Sequence, residues 1–164
     1  MFRRVQGPTK GNVIMQLKTR KAVYIIGCSN MGAYIAGAMS KLDFDVYIID
    51  LDEESFRNLP LDYSGFTITG DACDTDFLES QIAKDAYLVL VSTDSDNVNS
   101  FVAQYVKKIM GIELVITRIY DVDKHILMDN SGIKIIYPSI LTANKFFDIV
   151  KDYDTSKKEG GSDR

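Results

Sequence analysis

Six residues, Gly27-Cys28-Ser29-Asn30-Met31-Gly32, follow an apolar run that ends at Ile26, and their types suit the binding of a diphosphate. Gly27 permits a tight turn out of a strand, the small Ser29 lets backbone approach phosphate, and Gly32 lets helix and strand pack closely. With Cys28, Asn30 and Met31 between them they form a G-x-S-x-x-G variant of the dinucleotide fingerprint. Amides at the start of the following helix then face the phosphates, and the helix dipole adds to the attraction. Asp50 lies 23 residues beyond Gly27, where a carboxylate accepts from both ribose hydroxyls. Its charge repels a 2′-phosphate and so favours NAD or an adenosine phosphate over NADP. Ser29 occupies space that a second glycine would leave open, and it offers a hydroxyl to phosphate. Asn30 brings an amide and no positive charge, so the loop favours NAD(H), ADP or AMP over ATP. Leu51 follows in the Asp50-Leu51-Asp52 turn and is counted with the site. In a competing reading Asp50 only opens that turn as a helix-capping acid.

Other reactive residues do not assemble into a catalytic set. Tyr120 and Lys124 have a Tyr-x-x-x-Lys spacing like that of short-chain dehydrogenases, but Tyr120 is expected to end a strand, which takes the pair off a common helix face. His125 has no nucleophile partner suggested by motif. Cys28 and Cys73, with this single histidine, make neither a disulfide framework nor a zinc spacing. No catalytic residue and no metal site is therefore assigned. The alternative function is an NAD-dependent oxidoreductase, which needs an acid or base and a substrate pocket beside the nicotinamide. The 27 residues from Pro138 onward are too few for a substrate domain.

Positioning a diphosphate loop requires a strand before it, a helix after it and parallel neighbours. Short β-branched runs predict strands over 22–27, 45–50, 65–70, 86–92, 113–119 and 133–137. Amphipathic segments predict helices over 31–42, 53–58, 75–82, 96–110, 122–130 and 139–151. Asp52, Asp74 and Ser95 stand where N-caps belong, and Gly111 and Gly132 follow helix ends. Several strands are almost wholly apolar, as parallel strands covered on both faces are. The expected fold is a Rossmann-like, doubly wound α/β domain with a six-stranded parallel sheet, its crevice at the carboxyl ends of the first and fourth strands. Residues 1–20 read as a basic, flexible extension, 21–153 as the domain and 154–164 as a polar, glycine-rich disordered tail.

Composition narrows the partners. Residues 1–21 hold six of the 19 basic side chains and no acidic one, leaving 13 basic against 23 acidic in the remainder, a balance of −10. An acidic body argues against nucleic acid, whose affinity comes largely from clustered Lys and Arg. No apolar run approaches the ~20 residues that a membrane-spanning helix needs, and no secretory signal is recognisable, so a cytoplasmic location is expected.

Taken together and in order, several pieces resemble the N-terminal domain of the family that regulates conductance of potassium, known as RCK or TrkA-N. They are the loop at 27–32, Ile48-Ile49-Asp50, Gly70-Asp71-Ala72, Ser92-Thr93-Asp94 with Asn97, Thr117-Arg118, and Gly132 through Pro138. The resemblance spans residues 22 to about 150. It implies that Asp71 and Ala72 line an adenine pocket, that Thr93 and Asp94 border the nucleotide, and that Arg118 is an interface or ligand-linked charge. Simpler readings make Gly70-Asp71 an ordinary turn, Ser92-Thr93-Asp94 a helix start, and Arg118 a surface residue paired with Asp121 or Asp123.

The resemblance further implies a nucleotide-sensing regulatory subunit acting on a membrane potassium channel or transporter from its cytoplasmic side. Two departures qualify it. Asn30 stands where family members often carry arginine, and no second, ligand-sensing domain follows, which implies either a separate C-terminal-type subunit or a one-domain member. The last helix, with Ile140, Leu141, Phe146, Phe147, Ile149 and Val150, is too apolar to face solvent. It is expected to be exchanged in a homodimer, within a larger ring or alone, or else to dock on its own sheet.

Overall fold

Successive residues of β1 (Lys21–Ile26) point to opposite faces of a sheet, and each face meets a core. Val23 and Ile25 pack with Val46, Ile48 and Leu90 beneath Ala33 and Ala36 of α1 (Asn30–Ser40). Tyr24 and Ile26 pack with Ile49, Val89 and Val91 beneath Leu78 of α2 (Thr75–Gln81) and Val102 and Val106 of α3 (Asp96–Lys108). Burying each such aliphatic side chain contributes roughly 1.5–3 kcal/mol. The computed structural model describes residues 20–123 and 131–159.

The remaining strands are β2 (Phe44–Asp50), β3 (Phe66–Thr69), β4 (Leu88–Val91), β5 (Val115–Arg118) and β6 (Lys134–Ile136). All five pairings are parallel, in the order β3-β2-β1-β4-β5-β6. This is the doubly wound Rossmann order, which reverses between β1 and β4 and opens a crevice at their carboxyl ends. Every expected strand lies within two residues of the observed one. Asp52, Asp74 and Ser95 each accept from first-turn amides, as their cap positions predict.

Glu53–Asn58 is a 3₁₀ helix without a buried residue. Pro60 follows closely, and the residue before it, Leu59, is extended at ψ 141°, which stops the turn from lengthening. The helix expected over 122–130, with Lys124 and His125, lies outside the described residues from 124 on. The final helix, α4 (Pro138–Glu159), runs eight residues past its expected end at 151 and through most of the tail read as disordered. Its extension is polar but contains neither Gly nor Pro before Gly160. Thr155 Oγ1 donates to the Lys151 carbonyl, Ser156 Oγ donates to that of Tyr153, and Lys157 lies over the Tyr153 ring at 4.8 Å. Local side-chain bonds thus replace the apolar face that the sequence pattern required. Among the described residues no helix is long and apolar enough to cross a membrane.

Candidate functional site

The glycine loop forms where β1 and β4 end side by side. Gly27 has φ +99°, and a Cβ there would stand 2.5 Å from the Thr93 amide nitrogen, so only glycine lets the loop lie on the β4 terminus. Ser92 Oγ donates to the Gly27 carbonyl at 3.3 Å and ties the two strand ends together. Gly32 is buried behind the loop, where a Cβ would fall 2.0 Å from Gly27 O. Ser29 is the N-cap of α1, its Oγ accepting from Gly32 N at 3.3 Å. By helix geometry the amides of Asn30 and Met31 have no carbonyl one turn before them and point out of the helix end.

Asp50 closes the opposite wall. Its Oδ2 accepts from Cys28 N at 2.6 Å and its Oδ1 from Asp52 N at 2.9 Å, so the carboxylate fixes the glycine loop as well as its own turn. The capping reading is therefore partly right, although the acid that caps the 3₁₀ helix is Asp52. That helix latches the loop from outside: Asn58 Nδ2 donates to the Cys28 carbonyl at 3.0 Å, and the Cys28 thiol donates to the Ser55 carbonyl at 3.2 Å. Burial pushes the Cys28 thiol up to about 11, and Asp50 adds to the rise. It is a neutral structural donor, not a nucleophile.

The third wall comes from β3, β4 and β5. Asp71 Oδ1 accepts from Cys73 N at 2.8 Å in a tight turn that leaves the Asp71 side chain exposed and Ala72 buried. Arg118 is almost fully buried, and it pairs at 3.0 Å with Asp94, which overturns the surface pairing with Asp121 or Asp123. Asn99, wholly buried in α3, accepts from both the amide and the hydroxyl of Thr93 and donates to the carbonyls of Thr93 and Arg118. One amide side chain thus joins the ends of β4 and β5.

These walls enclose a cleft of about 790 Å³, a size typical of small-molecule sites. Gly27, Cys28, Ser29, Asn30, Met31, Asp50, Leu51, Asp71, Ala72, Thr93, Asp94 and Arg118 all line it, and Gly32 supports it from behind. Ser55, Asn58 and Val98 line it too, although nothing in their local sequence singles them out, and so does Tyr120, whose spacing to Lys124 points to a different chemistry. Asn99 carried one signal, a polar residue on the apolar face of a helix. Among the described residues, no group of three or more His, Cys, Asp or Glu side chains is placed to hold a metal ion.

The family model for the TrkA-N domain matches residues 23–138, which takes in all three walls. The chain belongs to the TrkA-N domain family. The Trk system potassium uptake protein TrkA of Streptomyces coelicolor is 32% identical over 99 residues, 60% of this chain and 44% of the relative. The chain spans about half the length of the curated relatives it matches. At the level of fold, the TrkA-N domain superposes with a TM-score of 0.70 on the GsuK channel bound to NAD, at 17% identity, covering 86% of this chain and 25% of that one. A Shewanella denitrificans Kef CTD in AMP-bound form superposes with 0.60 at 20% identity, covering 77% of each chain.

Proposed function

We infer that this TrkA-N domain is a nucleotide-sensing regulatory subunit of a potassium uptake channel or transporter, taking NAD(H), AMP or ADP in the cleft between β1 and β4. One observation carries the reading: a helix N-terminus, a ribose-height carboxylate and a buried arginine converge on a single cleft of about 790 Å³. The order of these groups fits a bound adenine nucleotide, with phosphate at Ser29 to Met31, ribose at Asp50 and adenine beside Asp71 and Ala72. NAD in the GsuK structure and AMP in the Kef structure support the ligand class, and the relatives' names support the transport setting.

The work is conformational, not catalytic. Nucleotides that bind one arrangement of the assembly better than another shift its population, and that difference in affinity is the free energy available to move a membrane partner. The assembly is a homodimer built through α4, alone or in a larger ring, at the cytoplasmic face. A thermal-shift panel of NAD, NADH, AMP, ADP and ATP tests the site. Binding at 100-fold excess over Kd stabilises by ~2.7 kcal/mol, and ATP is expected to fall behind the others. A flat panel overturns the reading, and steady hydride transfer between NAD and alcohols would replace it with an oxidoreductase.

A further inference from the structure

The charges around the cleft are unequal in number and in burial. Among the described residues, Asp50, Asp52, Asp71 and Asp94 line it against one cation, Arg118, so four negative charges and one positive leave −3. The Arg118 side chain is 4% exposed and that of Asp94 is 90% exposed. Arg118 Nη2 donates to the Thr93 carbonyl and to Asp94 Oδ1, while Nη1 reaches Ser29 Oγ at 3.4 Å. Its Nε is buried without a hydrogen-bond partner. The guanidinium also lies 4.7 Å from the centre of the Tyr120 ring, which holds its plane. Because Ser29 caps α1, this cation reaches the phosphate position from β5, where the glycine loop itself offers only Asn30.

We propose that Asp94 is a specificity-determining residue of this site: it competes with ligand phosphate for the single guanidinium and so limits how much phosphate charge the cleft accepts. The proposal rests on the nucleotide reading above. A buried guanidinium keeps an anionic partner because leaving it unpaired is costly. Asp94 sits in water, so it gives up its partner with little desolvation to recover, and it reclaims that partner when the ligand leaves. An incoming phosphate at Ser29 meets Nη1 directly but shares Nη2 with Asp94. One or two phosphate charges are balanced by Arg118 together with the amides of α1. Each further phosphate adds charge beside carboxylates for which the described lining residues offer no second cation.

Asp94→Asn tests this in the full chain, since an exposed amide keeps the shape and an acceptor for Nη2 while removing the charge. Calorimetric Kd values for adenosine, AMP, ADP, NAD and ATP are measured for wild type and variant, with melting curves to establish native folding. The variant is expected to bind ATP roughly tenfold more tightly, ADP less so and adenosine unchanged, which narrows the ATP-to-AMP affinity ratio. Adding Arg118→Met should abolish the gain. Equal changes for every ligand, or an unchanged ATP-to-AMP ratio, overturn the proposal and leave the nucleotide site standing. Failure of wild type and variant alike to bind any nucleotide overturns both.

Discussion

At the scale of single residues, Asp50 accepts two backbone amides before any ligand arrives, and each oxygen retains a lone pair for a ribose hydroxyl. Asp50→Ala is therefore expected to weaken nucleotide binding by about 2 kcal/mol, near thirtyfold, and to lower stability by about 1 kcal/mol through the freed Cys28 amide. Calorimetry and urea titration separate the two effects, and unchanged affinity would remove Asp50 from the site. Cys28 makes a prediction of opposite character. Its thiol is raised from 9.0 to about 11 in the folded chain, so the folded state holds its proton more tightly than the unfolded one. The stability this contributes is complete below pH 9 and is lost as pH rises towards 11. Urea midpoints from pH 8 to 11 should fall more steeply for wild type than for Cys28→Ala. The glycine loop and Asp50 were legible because their spacing follows the chain from strand to turn to helix. Ser55, Asn58 and Asn99 were not, because their partners at Cys28, Thr93 and Arg118 come near only through tertiary contact.

At the scale of elements, the closeness of β1, α1 and β4 rests on the missing Cβ atoms of two glycines. Gly32→Ala would bring a methyl to 2.0 Å from the Gly27 carbonyl oxygen and 2.9 Å from Ser92 Oγ, and it is expected to cost about 3 kcal/mol with loss of binding. Gly111→Ala is the control, because its φ is +76° but no atom beyond its chain neighbours lies within 4 Å of the new Cβ. Only backbone strain of about 1 kcal/mol is expected there. Equal losses for the two variants, read from denaturant midpoints, would show that packing at Gly32 is not what matters. Asn99→Ala, which leaves the Thr93 amide and the Arg118 carbonyl without their partner, should cost about 3 kcal/mol. The central strands were readable because strands buried on both faces demand near-continuous apolar runs. Helix ends were less so: Pro60 holds 53–58 to a 3₁₀ turn, and side-chain bonds at Thr155 and Ser156 carry α4 past its apolar stretch.

At the scale of the whole molecule, α4 contradicts the alternative in which it docks on its own sheet. Leu141, Phe146, Phe147, Ile149 and Tyr153 are all more than half exposed, with Phe146 and Phe147 packed edge to face against each other. Large apolar side chains exposed in this number are covered in a working protein, and a second copy of α4 can offer the same ones, the self-complementary geometry of a two-fold dimer. Tyr120 connects that helix to the cleft. Its ring lies against Arg118, and its carbonyl accepts from Ser139 Oγ in the first turn of α4 at 3.4 Å. A ligand that draws Arg118 away from Asp94 therefore acts, through Tyr120, on the first turn of α4. Linkage then requires reciprocity: if nucleotide changes the dimerisation constant by some factor, dimerisation changes nucleotide affinity by the same factor. Sedimentation of wild type is expected to show a dimer whose dissociation constant moves with nucleotide. Replacing Phe146 and Phe147 together by Glu should give a folded monomer of about 18 kDa that still binds nucleotide, with an affinity shifted by that factor. A wild-type chain that sediments as a monomer with and without nucleotide would remove the assembly from the mechanism and leave α4 to a partner of different sequence.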